Sequence, residues 1–388
     1  MKVAVVRKGD FYIYAYDLID ALAGSNIDVT AILSIDKTEE NVIYDDLLTR
    51  VSGKAEVIRL GDWRKQFYLR LKALFGKLGI SADALIVSPY LIRKTRREFR
   101  RRRFDYIIAV GQESLYWACQ AFKKDRQRII YYNLEIIYKG HPLTADPTWS
   151  RIVAFENRIL SRIGGVIIQD EFRSSVLLGD IKGFDPGKRI FFPVSINERK
   201  VVEKGTYFSR KFGLGPSNKV VLYYGGIWPG RSLQEVIDAT AGLSPDIKVV
   251  IHGGRGSFDL SSDQKHIIVS KEKLLFSQVT DLISSADIGL AFYSADNYND
   301  QYTAYSSEKL SRYCQCGKPF IAFENENYRH FKAQYDCCVL IREPGDLPGA
   351  IRTILDNYSY YQNNAYRAFD NEFDFQKNFG KLLAFMKR

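Results

Sequence analysis

The stretch that decides the fold is Ile288-Gly289-Leu290-Ala291-Phe292, then Ser306-Ser307-Glu308-Lys309-Leu310-Ser311-Arg312-Tyr313, then Cys316-Gly317-Lys318-Pro319-Phe320-Ile321-Ala322-Phe323. Its outer parts, 288–292 and 319–323, are nearly continuous apolar runs, as a strand buried on both faces requires. Between them, residues 308–316 have helical period. Ser306 and Ser307 can cap the helix that opens at Glu308 and leave backbone N–H groups pointing outward. Gly317-Lys318-Pro319 then ends the helix and admits the next strand. Strand, capped helix, strand is the repeating unit of a parallel sheet with helices on its faces.

The same alternation extends outward in both directions. Strands are predicted at 220–224, 248–252, 267–269 and 338–341, with helices at 232–243, 276–284 and 347–358. Toward the N-terminus, strands are predicted at 2–6, 29–33, 55–60, 84–87, 106–110, 129–132 and 165–168, with helical period at 12–23, 114–122 and 148–163. Pro, Asn and charged residues interrupt the rhythm at 193–205, which places the hinge there. The fold class is therefore α/β: two Rossmann-like domains facing a central cleft, 1–194 and 195–370. Residues 371–388 form an amphipathic helix with Phe375, Phe379, Leu382, Leu383 and Phe385 on one side, expected to pack back on the first domain.

Composition agrees. The chain has 388 residues, 46% hydrophobic and 26% charged, which excludes a disordered tail, a collagen-like chain and a coiled coil. There is no run of about 18 uncharged apolar residues and no apolar leader, so neither a membrane span nor a signal peptide is expected. Five cysteines without paired spacing point to no disulfide framework and no zinc site, and to a reducing cytosol. The net charge is +11, and +9 of it lies in residues 1–195. An anionic partner met on that side follows: nucleic acid, anionic lipid or a phosphorylated substrate.

Ligands of open α/β sheets sit beyond the carboxyl ends of the strands. Gly225-Gly226-Ile227-Trp228-Pro229-Gly230-Arg231 lies between a strand and a helix, where Gly226 admits close backbone approach and Arg231 supplies a cation suited to phosphate. A tight turn with a surface arginine is the alternative. His252-Gly253-Gly254-Arg255-Gly256 is glycine-rich without a complete dinucleotide fingerprint. Lys309, in a helix's first turn, opposes the helix dipole, so an anion should compensate it.

Ser307-x-Lys309-Leu310-x-x-Tyr313-x-x-x-Gly317-Lys318-Pro319 resembles the donor-binding segment of GT-B glycosyltransferases, particularly those similar to glycosyltransferase family four. The Gly225-to-Arg231 loop, His252-Gly253-Gly254, Ala286-to-Leu290 and Phe373-Asp374-Phe375 are similar in order and spacing, so the resemblance covers most of 186–388. It implies a nucleotide-diphospho-sugar bound by the second domain as substrate, with no separate cofactor. Arg231 and Lys309 would neutralise the diphosphate, helped by the amides of Ser306 and Ser307; Gly226 and Gly253 would line the donor site, and nucleobase contacts would fall near Ser270 and Lys271. The family's Glu-x7-Glu falls on Ala304 and Arg312, a departure. Glu308 is carried as a sugar or ribose ligand, an i,i+4 ion pair with Arg312 being the alternative.

The first half must then hold the acceptor and any base. Lys8-Gly9-Asp10 closes the first strand, near where GT-B enzymes hold phosphate and acceptor. Glu113 and Glu135 follow strands at positions where a carboxylate could accept an acceptor proton; each could instead be a helix-start carboxylate. His141 ranks below Glu135. No metal-binding Asp-x-Asp stands at a credible strand end, so no catalytic metal is expected. Residues 92–103 hold eight basic residues in twelve, including Arg100, Arg101, Arg102 and Arg103. Residues 63–75 interleave cations with Trp63, Phe67 and leucines at helical spacing, as either an interfacial helix or a packed amphipathic one. Joined to the resemblance, which implies a glycosyltransferase, these stretches lead to the expectation of an enzyme peripherally bound at the cytoplasmic face of the membrane, acting on a glycan or lipid-linked acceptor in polysaccharide or glycoconjugate synthesis. A sugar-nucleotide epimerase or hydrolase is the alternative within the fold. A scaffold that keeps the fold without activity is a further alternative, and a nucleic-acid binder using the arginine run is one from a different class; no recognition motif supports nucleic acid as a partner.

Overall fold

The computed structural model describes residues 1–9, 13–34, 51–60, 89–228, 230–253, 260, 264–294 and 296–388. Asp10, Trp63, Phe67 and the strand predicted at 84–87 lie outside them. The chain divides into two compact units, Met1–Phe192 with Gln376–Arg388, and Pro193–Phe375.

In the first unit the described strands are β1 (Lys2–Lys8), β2 (Asp28–Ser34), β3 (Glu56–Arg59), β4 (Tyr106–Val110), β5 (Ile129–Tyr132), β6 (Gly165–Ile168) and β7 (Arg189–Phe191), in the order β3-β2-β1-β4-β5-β6-β7. In the second, β8 (Lys219–Tyr224), β9 (Ile247–His252), β10 (Ile267–Ser270), β11 (Ile288–Ala291), β12 (Phe320–Phe323) and β13 (Cys338–Ile341) follow the order β10-β9-β8-β11-β12-β13. Every pairing is parallel. Val3–Val6, Ile107–Val110 and Val166–Ile168 are buried, because helices cover both faces and each strand must be apolar on both. Two parallel α/β units of Rossmann type are what the sequence predicts. In each, strand order reverses once, at β1/β4 and at β8/β11, and those reversals open the crevices where such sheets hold ligands.

Helix ends depart from the sequence reading for local reasons. The helix predicted at 232–243 spans Leu233–Ala239, since the Thr240 hydroxyl donates to the Ile237 carbonyl at 2.7 Å and competes with the next helical turn. The helix predicted at 347–358 spans Leu347–Asp356, and after a break at Asn357 a further helix, not predicted, runs Tyr358–Ala368. The last helix is Phe375–Met386, preceded by a π turn at Phe369–Phe373. Phe379, Leu382 and Met386 are buried. A Cβ on Gly165 would come within 2.9 Å of the Phe385 ring, so only glycine lets this helix sit so close to β6.

A buried polar network crosses the carboxyl ends of β4, β5 and β6. Tyr131 and Gln112 donate to the two oxygens of Glu156 at 2.5 and 2.7 Å, and Asn133 Nδ2 donates to the Tyr131 hydroxyl at 2.9 Å. Burial pushes the Glu156 carboxyl up to about 7 from 4.5, outweighing these hydrogen bonds. Between those values the folded state holds the extra proton. This contribution is therefore complete below the unfolded value and lost as pH rises through about 7. Glu156→Gln, which cannot ionise, is expected to be more stable than wild type at pH 8, by on the order of 2–3 kcal/mol. In urea unfolding followed by amide exchange in the first sheet, the gap should close toward acid pH; a pH-independent gap would refute it.

Candidate functional site

The second unit's site is built where β8 and β11 part. The backbone there is packed without room for side chains: a Cβ on Gly253 would lie 2.2 Å from the Gly225 carbonyl, and one on Gly226 2.2 Å from Trp228 Nε1. Into this crevice comes Lys309, from the first turn of the helix Glu308–Gln315. Its Nζ lies 3.9 Å from the centroid of the Tyr223 ring and 4.8 Å from that of Tyr293. The residue is only 7% exposed, and among the described residues Nζ has neither a hydrogen-bond acceptor nor a carboxylate within ion-pair distance. Arg231 Cζ stands 4.7 Å from the centroid of the same Tyr293 ring. Arg231 Nη2 pairs with Asp300 at 2.8 Å, while its Nη1 is buried without a hydrogen-bond partner. Ser307 caps the helix through Leu310 N at 3.3 Å and bonds the Tyr293 hydroxyl, fixing that ring.

Two cations thus converge on one tyrosine ring, and among the described residues Asp300 is the one carboxylate paired with either. Burial first, and the Arg231 charge second, hold the Lys309 ammonium well below its ordinary value. A buried ammonium without hydrogen bonds is costly. An anion placed between Lys309 and Arg231 Nη1 would relieve both, and oxyanions take such charge-assisted hydrogen bonds.

The other candidates fall as follows. Ser306 does not cap the helix: its hydroxyl donates to the Tyr302 carbonyl at 2.6 Å, and Ser307 alone is the cap. Glu308 makes the i,i+4 ion pair with Arg312 at 2.8 Å, its side chain 30% exposed. Arg312 also donates to Thr280 at 3.0 Å and faces Glu198 at 3.7 Å, so the charge reversal at this position is balanced by two carboxylates. Gly253 N donates to the Ser270 carbonyl at 2.9 Å, which ties β9 to β10 at the crevice edge. Sequence reading missed Tyr223, Tyr293 and Asp300. The two tyrosines stand at the ends of β8 and β11, and that placement was the available signal.

In the first unit, Lys8 and Glu113 meet at the β1/β4 reversal. Lys8 Nζ is 3.7 Å from Glu113 Oε1, with the Lys8 side chain 3% exposed, and Lys8 N donates to Ser114 Oγ at 2.9 Å. Gly9 takes φ +86°, and a Cβ there would touch Glu113 Oε2 at 3.0 Å. Glu135 is exposed beyond β5, on a loop whose backbone is held from below. Asn133 Nδ2 donates to the Glu135 carbonyl at 3.0 Å, and the buried Arg173 donates to that of Leu134 at 2.8 Å. His141 Nδ1 accepts from Leu143 N at 3.2 Å, capping a short turn, and partial burial lowers its pKa. Lys8 and Glu113 share no hydrogen bond or ion pair with Glu135 or His141.

The arginine run follows the helix Pro89–Glu98. Arg102 forms a two-pronged ion pair with Glu56, one contact at 2.9 Å, whereas Arg100, Arg101 and Arg103 are exposed. Among the described residues no helix is long and apolar enough to cross a membrane, and no group of three His, Cys, Asp or Glu side chains is placed to hold a metal.

No protein-family model matches this chain, and no curated protein matches it in sequence. Solved structures do. Anabaena HepE, in complex with UDP and glucose, is 15% identical with a TM-score of 0.68, over 100% of this chain and 99% of its own. WaaG, a glycosyltransferase of lipopolysaccharide biosynthesis, is 11% identical with a TM-score of 0.61, over 98% of both chains. The UDP-GlcNAc 2-epimerase of Neisseria meningitidis, bound to UDP-GlcNAc, is 14% identical with a TM-score of 0.61, over 100% of both. At these identities the likeness shows the fold alone, two parallel-sheet α/β domains, which a glycosyltransferase and a 2-epimerase have in common.

Proposed function

We propose that this protein is a glycosyltransferase that moves a sugar from a nucleotide-diphospho-sugar to a glycan or lipid-linked acceptor at the cytoplasmic face of the membrane. The observation that carries the reading is Lys309, a buried ammonium held by two tyrosine rings beside the unpartnered Nη1 of Arg231. In this reading the two cations neutralise the diphosphate and stabilise the charge that gathers on it as the sugar departs. Glu135 takes the acceptor hydroxyl proton. The occurrence of the fold in glycosyltransferases solved with UDP or UDP-sugars supports a nucleotide-sugar donor.

The same fold in a UDP-GlcNAc 2-epimerase makes epimerisation the competing reading. A panel of nucleotide sugars, incubated with and without membrane extract, separates the two. A transferase should bind one donor and consume it faster with extract, passing the sugar to an acceptor. An epimerase would convert the donor without any acceptor, and a chain that binds none of the panel would be neither.

The membrane part of the reading rests on the basic excess of residues 1–195 and on the exposure of Arg100, Arg101 and Arg103. Polybasic segments gain roughly 1 kcal/mol per cation near anionic lipid. Neutralising Arg100–Arg103 together is expected to release the protein from anionic vesicles while leaving donor binding intact, and binding should weaken with salt. Equal sedimentation with neutral and anionic vesicles would refute it. Tight binding to DNA or RNA without vesicle binding would move the assignment to nucleic acid.

A further inference from the structure

At the amino ends of β1, β2 and β3 lies a cleft of about 570 Å³, lined by Lys2, Asp28, Thr30, Glu56 and Arg101–Phe104. It is the opposite end of the sheet from Lys8 and Glu113, about 20 Å away at the rise of a strand. Neither sheet reversal accounts for it.

Its walls are fixed. Phe104 is buried, its ring centroid 5.8 Å from that of Phe99 and 6.1 Å from that of Phe122. Asp105 N donates to the Lys2 carbonyl at 2.8 Å, and Arg102 N to that of Phe99 at 3.1 Å, so 101–105 is a short anchored segment between a helix and β4. Arg102 is held on both sides: its guanidinium clasps Glu56 and lies 5.3 Å from the centroid of the Phe99 ring. Thr30 Oγ1 donates to Glu56 Oε2 at 3.1 Å, which orients that carboxylate in turn.

The charges then sort themselves. Lys2 Nζ faces Asp28 at 3.7 Å, and Arg102 is matched by Glu56. Arg101 and Arg103 line the same cleft and have no ion pair or hydrogen bond among the described residues. Two spare guanidinium charges over a neutralised, rigid floor match one dianion. A phosphate monoester carries close to that charge at neutral pH and accepts several charge-assisted hydrogen bonds.

We propose that this cleft is a binding site for a phosphate monoester, recognised by Arg101 and Arg103, with Arg102 and Glu56 as its floor. Such a group is carried by a lipid headgroup, as in phosphatidic acid, or by a soluble compound such as glycerol 3-phosphate. The site is independent of the donor reading. It sharpens the membrane reading, and the two fail separately: removing all four arginines tests attraction however it is arranged, whereas the present proposal makes the arginines unequal.

The test compares two double variants of the full chain with equal loss of charge, R101Q/R103Q and R97Q/R100Q. The second pair is exposed and lies outside the cleft. Glycerol 3-phosphate is titrated by calorimetry, and vesicle flotation uses phosphatidic acid or phosphatidylserine at matched surface charge. R101Q/R103Q should lose about tenfold or more in affinity for glycerol 3-phosphate and in preference for phosphatidic acid over phosphatidylserine, whereas R97Q/R100Q, which removes only general attraction to anionic vesicles, should lose less than about twofold in either. Preference for phosphatidic acid over phosphatidylserine identifies the lipid source. Cleft-dependent binding of glycerol 3-phosphate without that preference identifies a soluble one. Equal losses in the two variants, or no loss of either probe in R101Q/R103Q, would overturn the site.

Discussion

Lys309→Met should weaken binding of a nucleoside diphosphate by about 100-fold and at the same time raise the stability of the second unit. The two effects share one cause. The ammonium is buried between Tyr223 and Tyr293 with no carboxylate or acceptor among the described residues, so the empty protein bears its desolvation and the bound protein recovers it. Methionine fills similar volume and its sulfur sits well against aromatic rings. Losing charge-assisted hydrogen bonds of about 1.5–3 kcal/mol gives the expected fall in affinity. The pH dependence has a definite sign. The folded-state pKa lies below the ordinary 10.5, so the unfolded chain binds the extra proton. Stability should rise as pH climbs toward 10.5, and that slope should be missing from the variant. Arg231→Ala should also lose donor affinity but should lose stability too, because it removes the ion-pair partner of Asp300. Unchanged calorimetric binding in both variants would end the donor assignment.

Glu135→Gln should lower turnover by about 100-fold or more, the ordinary worth of a positioned general base, while donor affinity stays the same. The carboxylate is exposed, but its loop is not loose: Asn133 and the buried Arg173 hold the backbone carbonyls of Glu135 and Leu134. Glu113→Gln is the matched control. Glu113 is engaged by Lys8, a buried cation with no other ion pair among the described residues, so its loss should appear first in stability. Single-turnover rates with saturating donor distinguish the two. Full turnover in Glu135→Gln would pass the proton to another group or remove the need for an enzymic base.

The strands were legible because fully covered parallel strands must be apolar at nearly every position, and runs such as Tyr106–Val110 and Gly165–Ile168 leave no other reading. β7 was not, being three residues that open on Arg189. The helices Glu326–Tyr335 and Tyr358–Ala368 were missed for a related reason: their buried side is largely aromatic and amide, Tyr328, Phe331 and Tyr335 in one, Tyr361 and Asn364 in the other. In the site, Ser307 as a cap and the Glu308–Arg312 pair could be read, since both depend on neighbours within one helical turn. The burial of Lys309 could not. Its walls come from the ends of β8 and β11, and only the sheet order brings those together.

The helix against Gly165 also sets an order of events. The second unit is one continuous piece, 193–375, while the first needs the last thirteen residues, Gln376–Arg388, to be whole. During synthesis the unit begun first is therefore the one finished last. Until Phe379, Leu382 and Met386 emerge, the apolar seat they fill beside β6 stays bare, a surface that chaperones or stray chains can occupy. A chain cut after Phe375 should accordingly show its defect at the far end of its own sequence, in the sheet made of its earliest residues.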